Sequence, residues 1–189
     1  MAQIDLSSRS KPRPYRRRSG GFQTWHFYES TCVSTAIIRA GDVVQADVNV
    51  STANHRIVKS STMANVPNCL STAFYGIAAE DSTAYGRNTS PTAAAPSGHK
   101  LPVTLADAQT EFLFATKAAG TAHLSSLVGT RRALGYDSTL EIHYCDVGNS
   151  TAGDAVLLIT EVIDEGTTNG YVAAKFLSTN THRFVSAAF

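Results

Sequence analysis

Between residues 41 and 177 apolar and polar positions alternate in short runs separated by turn-forming residues. Gly41-Asp42 opens Val44, Ala46, Val48 and Val50 at a period of two against Gln45, Asp47 and Asn49, the pattern of a strand with one face in water. Ala73 to Ala79 is a continuous apolar run ended by Glu80-Asp81. It predicts a buried strand, in which Gly76 predicts a bulge or a close backbone approach. Leu101, Val103 and Leu105 alternate again, and Glu111 to Ala115 forms another short apolar strand. Leu140, Ile142 and Tyr144 alternate with Glu141, His143 and Cys145. Gly148-Asn149-Ser150 then turns the chain into Ala155 to Ile159, which Glu161-Val162-Ile163 extends. Thr167-Thr168-Asn169-Gly170 is a hairpin signal, because Asn-Gly tolerates the positive φ of a primed turn, and Tyr171 to Leu177 is the returning strand. The one helical pattern lies between Lys117 and Gly129, at Ala118, Ala122 and Leu124 to Val128, and is interrupted by Gly120 and two serines. Strands recurring every 10–15 residues or so with turns between them predict an all-β body, a compact barrel or sandwich. Residues 82 to 100 hold Gly86, Pro91, Pro96 and Gly98 without periodicity and predict a long functional or partner-pinned loop.

Ahead of this body the pattern is different. Residues 1–21 contain no core-forming periodicity, and at Phe22-Gln23-Thr24-Trp25-His26-Phe27-Tyr28 the composition changes to four aromatics in seven residues. Alternation puts Trp25 and Phe27 on one side and His26 and Tyr28 on the other, which fits a first strand or an aromatic patch against a neighbour. The chain therefore divides into an extended arm, 1–21, and a body, 22–189.

Charge sharpens that division. The total of 189 residues is nearly neutral at +1, but Arg9, Lys11, Arg13, Arg16, Arg17 and Arg18 face only Asp5 in the arm, a net of about +5, leaving about −4 on the body. A proline-spaced basic segment buries too little apolar surface to offset its ordering entropy, so it is expected to order only on a partner. Arginine forks pair with carboxylates or phosphates alike. Tyr15, Phe22, Trp25 and Phe27 beside Arg9, Lys11, Arg13, Arg16, Arg17 and Arg18 favour a protein partner, since rigid aromatics with arginine make up interface cores. Six cations are few for packaging a genome, so nucleic acid is not the expected partner.

Candidate chemistry is sparse. Cys32, Cys69 and Cys145 fit neither a disulfide framework nor a C-x-x-C pair and are expected as buried free thiols in a reducing cytosol. No apolar segment follows the basic N-terminus as a secretory leader would need, and none is long enough to span a membrane. Of the six histidines, His143 and Cys145 are the closest pair of potential ligands, but a zinc site needs more. The expectation is a solvent-facing histidine beside a half-buried thiol. Neither G-x-S-x-G nor a Walker A loop occurs, and Glu80-Asp81 and Asp164-Glu165 fall at strand ends as solvated turn acids. No enzyme activity, metal or cofactor is expected.

Gly41-Asp42-Val43-Val44, Gly76-Ile77-Ala78-Ala79-Glu80-Asp81, Pro102 to Asp107 followed by Thr110-Glu111-Phe112, and Asp154-Ala155-Val156-Leu157 leading to Gly170-Tyr171-Val172 occur in an order that resembles small β-barrel decoration, or cement, proteins of tailed-bacteriophage capsids. The resemblance spans residues 40 to 177. It implies a homotrimer, made in the host cytoplasm, that binds major capsid protein on the outer surface of an icosahedral head at subunit junctions, with the arm as a strap. A main coat protein of a small virus, with a β-sandwich shell and an inward basic arm on the genome, is the alternative.

Overall fold

The computed structural model describes residues 11–29, 38–46, 56–59, 74–81, 100–117, 125–152, 154–164 and 170–177. They form strands β1 (Arg13–Arg17), β2 (Thr24–Glu29), β3 (Val43–Ala46), β4 (Arg56–Lys59), β5 (Phe74–Ala78), β6 (Lys100–Leu105), β7 (Thr110–Ala115), β8 (Arg131–Asp137), β9 (Ile142–Asp146), β10 (Ala155–Val162) and β11 (Tyr171–Phe176), with one 3-10 turn at Ser125–Leu127. The protein is all-β, as its period-two pattern predicts. A six-stranded antiparallel sheet, in the order β1-β7-β11-β10-β8-β9, packs against a smaller sheet that closes as β2-β4-β3-β5-β6. The closure uses one parallel pairing, β2 with β4, at Tyr28↔Arg56 and Glu29↔Ile57.

Two apolar cores follow from this arrangement. The larger lies between the sheets and joins Val43, Phe74 and Ile77 of the barrel wall to Phe112, Phe114, Leu134, Val156, Leu157, Ile159, Val172 and Phe176. The smaller fills the barrel with Phe27, Val44, Ile57, Tyr75, Leu101, Val103 and Leu105. Strands β3 and β5 serve both: successive side chains point to opposite faces, and here both faces meet apolar surface. This is why β5 is buried at all five positions. It also corrects the expectation of a wet face on the strand after Gly41-Asp42, since Val43 and Val44 are both fully buried and only Gln45 is partly open; Asp47 to Val50 lie outside the described residues.

Gly76 sets the phase of β5. Val44 pairs with Gly76 and Gln45 with Phe74, so Tyr75 is an extra residue, a β-bulge. The slip lets Phe74 and Ile77, three residues apart, share the intersheet core while Tyr75 and Ala78 enter the barrel. Gly76 has φ +151°, and a Cβ placed there would lie 1.9 Å from the Thr104 carbonyl oxygen. The glycine is the close approach that the sequence predicts, and it adjoins the bulge.

Strands β10 and β11 pair antiparallel from Leu157↔Phe176 to Val162↔Val172, the hairpin that Asn169-Gly170 signals. Residues 165–169 lie outside the described residues, as do 82–99 of the expected loop. Of the helical pattern between Lys117 and Gly129, only the 3-10 turn Ser125–Leu127 is described, with Leu127 as its buried residue.

Candidate protein-docking edge

The basic segment does not stand apart from the body. Residues 13–17 pair with β7 at Arg13↔Leu113, Pro14↔Phe112, Arg16↔Glu111 and Arg17↔Thr110, and make β1 the end strand of the six-stranded sheet. An end strand tolerates Pro14, whose missing N–H would break the ladder of a central strand; a register shift falls between Pro14 and Arg16. The expectation that this stretch orders only on a partner is therefore corrected for residues 11–17. The body supplies the partner, through carboxylates whose role a local reading of the sequence does not reveal.

Four ion pairs, made by three cations, fasten it. Lys11 Nζ lies 3.0 Å from Asp42 Oδ1, Arg17 Nη2 lies 2.9 Å from Asp107 Oδ2, and Arg16 binds Glu111 through Nε and Glu161 at 2.9 Å through Nη1. Glu111 and Asp42 are almost wholly buried. A buried carboxylate without a partner is strongly destabilising, so these pairs specify where the segment lies. Gly41, at φ +84°, makes room: a Cβ there would come within 2.5 Å of Lys11 Cβ. Beyond β1, Arg17 Nη1 donates to the carbonyls of Ser19 (2.6 Å) and Gly21 (3.0 Å), while Ser19 Oγ bonds Gln109.

What this leaves on the surface is aromatic. Tyr15, Phe22 and Trp25 are 39%, 44% and 48% exposed. Arg13 and Arg18 are exposed as well, and the Arg16 guanidinium carbon lies 5.6 Å from the Tyr15 ring centroid. Phe27 differs from its neighbours and corrects its assignment to a docking surface: it is 4% exposed, pairs with Leu101 and packs on Tyr75 with ring centroids 4.5 Å apart. Trp25, opposite Val103, lies on the same face of β2 as Phe27, yet its side chain is half open to solvent. Arg9 lies outside the described residues.

A second correction concerns His143, which is fully buried together with Cys145. Docking of the barrel covers this face of β9. The Val43 N–H donates to His143 Nδ1 at 3.4 Å, Asp42 Oδ1 lies 4.0 Å from the same nitrogen, and the Tyr136 ring is 4.8 Å away. Burial pushes the Cys145 thiol far above its usual range, so it is an inert core sulfur. Cys32 and Cys69, with His55, His99, His123 and His182, lie outside the described residues. Among the described residues no cluster of three metal-ligating side chains occurs, and no helix is long and apolar enough to cross a membrane.

Burial raises the Asp107 carboxyl, but hydrogen bonds from Thr110, Arg17 and the Gln109 N–H outweigh it and hold the group below the ordinary aspartate value. A depressed native pKa adds stability that is fully present above the unfolded value of about 3.9 and is lost as pH falls through the native one. Acid titration of the folded protein should therefore show loosening of the β1 segment below about pH 4. Asp107→Asn should flatten that limb while leaving the neutral-pH fold intact. Hydrogen exchange of the β1 amides followed across the acid range measures it, and an unchanged acid limb in the variant would count against the assignment.

No family model matches the chain, and no match was found among curated proteins or solved structures.

Proposed function

We propose that the chain is a capsid decoration protein, which attaches as a homotrimer to the outer surface of an icosahedral bacteriophage head where major capsid subunits meet. One observation carries the reading. Lys11, Arg16 and Arg17 are paired with the body's own carboxylates, whereas Tyr15, Phe22 and Trp25 are exposed along the same stretch of chain. Cations already neutralised within the chain release few counterions from a polynucleotide, which weakens the alternative of an inward, genome-binding arm. Aromatic side chains with neighbouring arginines are what a protein interface core uses. Strand β1 adds a second means of attachment, since no strand pairs beyond it among the described residues and an extended segment of a capsid subunit can add there. The reading assigns the chain no catalytic step.

The test uses empty heads assembled from the major capsid protein of the virus that encodes the chain. Purified protein should bind them and label their exterior. Phe22→Ala/Trp25→Ala should weaken binding at least about a hundredfold, as two interface anchors would. The variant should still fold, because neither side chain belongs to an apolar core and each is close to half exposed. Undiminished binding by the double variant, or label confined to the inner wall beside nucleic acid, would overturn the proposal.

A further inference from the structure

The β1 strand is fastened almost entirely by polar contacts. Neither apolar core contains any residue before Phe27, and within residues 11–23 only Pro12 is buried. What holds the strand is its ladder to β7, the pairs of Arg16 with Glu111 and Glu161, of Arg17 with Asp107 and of Lys11 with Asp42, and the hydrogen bond from the Arg18 N–H to the Gln109 carbonyl. It can leave without opening either core. Its departure would uncover the Glu111 carboxylate, which is 1% exposed in place. The slot on β7 therefore demands a basic strand, but nothing about it demands the strand of the same chain. The connection to β2, Arg18 to Gln23, is exposed throughout and contains Gly20-Gly21. Gly20 at φ +67° holds it in a turn, and extended it would reach about 20 Å.

We infer that the slot formed by Glu111, Asp107 and Asp42 is a receptor for the arm of a second copy, so that in the homo-oligomer each chain donates residues 11–17 to its neighbour. Exchange keeps every ion pair and every rung of the ladder and changes only the connecting turn, which makes the closed ring low in cost relative to the monomer. In a ring each copy both gives and receives an arm, which accounts for a strand that is specified by buried carboxylates yet contributes nothing to the core. The inference rests on the self-association in the proposed function but not on attachment to a shell.

Charge reversal separates donation between chains from docking within one. Arg16→Glu places a carboxylate against Glu111, and Glu111→Arg places a guanidinium against Arg16, so in either variant alone the arm should be released. Tryptic cleavage after Arg17 and Arg18, read by mass spectrometry, should then accelerate at least about tenfold. When the two are co-expressed and purified through two different tags, arms given from one variant to the other meet an opposite charge again. About two-thirds of the arms in a mixed three-membered ring should regain wild-type protection. If either variant fails to fold alone, recovery of soluble protein only on co-expression is the equivalent result. Mixed preparations that stay as sensitive or as insoluble as the single variants would overturn arm exchange while leaving the decoration reading standing. So would single variants as resistant as the wild type.

Discussion

Gly76→Ala should destabilise the protein by more than about 4 kcal/mol, enough to prevent folding of a domain whose whole stability is of order 5–15 kcal/mol. The added methyl would lie 1.9 Å from the Thr104 carbonyl oxygen and 3.0 Å from the Ala106 nitrogen, both backbone atoms of a paired region that cannot swing aside. The φ of +151° adds strain for any residue with a Cβ. Relief by straightening β5 is also closed off. Without the bulge at Tyr75 the strand's phase shifts, so that Phe74 and Ile77 could not both face the intersheet core. Soluble yield and urea denaturation measure the effect, and a midpoint shift worth less than about 1 kcal/mol would show that the bulge is not obligatory.

The second large effect is expected at Phe176→Ala, at about 3–5 kcal/mol. The Phe176 ring has centroids 5.2 Å from Phe74, 5.8 Å from Phe112 and 6.0 Å from Phe114, the last two in edge-to-face geometry. Phe74 belongs to the barrel, and the other three rings belong to the six-stranded sheet. The quartet thus ties the two sheets together, and truncating its central member leaves a cavity bounded on both sides by paired strands. Ladders on either side restrain collapse into that space, which places the cost toward the upper end of the range. Urea denaturation followed by intrinsic fluorescence tests this. A loss below about 1 kcal/mol would mean that the sheets repack without the ring.

Much of this fold can be read from the chain itself. The all-β class, the β10–β11 hairpin, the strand ended by Glu80-Asp81 and the special role of Gly76 all follow from period-two alternation and turn chemistry, which act over a few residues. Burial on the second face of a strand is not legible in this way. Thr104 and Glu111 sit at positions whose sequence neighbours say nothing about what covers them, yet both are buried. The sign that could have exposed the arm's dock was a lone acid inside an apolar strand, Glu111 in Thr110-Glu111-Phe112-Leu113-Phe114, since an interior carboxylate requires a cation from elsewhere. The misassignment of Phe27 has a related cause. Trp25 and Phe27 share one face of β2, and only the closure of the barrel distinguishes the one that fills its interior from the one left half open.

The order of residues alone determined that this protein is built from short strands, that a cationic leader precedes an acidic body, and where the chain turns, because each of these depends on interactions between near neighbours. Tertiary structure alone decided that β3 and β5 divide their side chains between two cores and that His143 is interior. It likewise decided that Arg16 meets a carboxylate 95 residues further along the chain. Burial and ion pairing depend on which surfaces are brought face to face, and no local pattern encodes that.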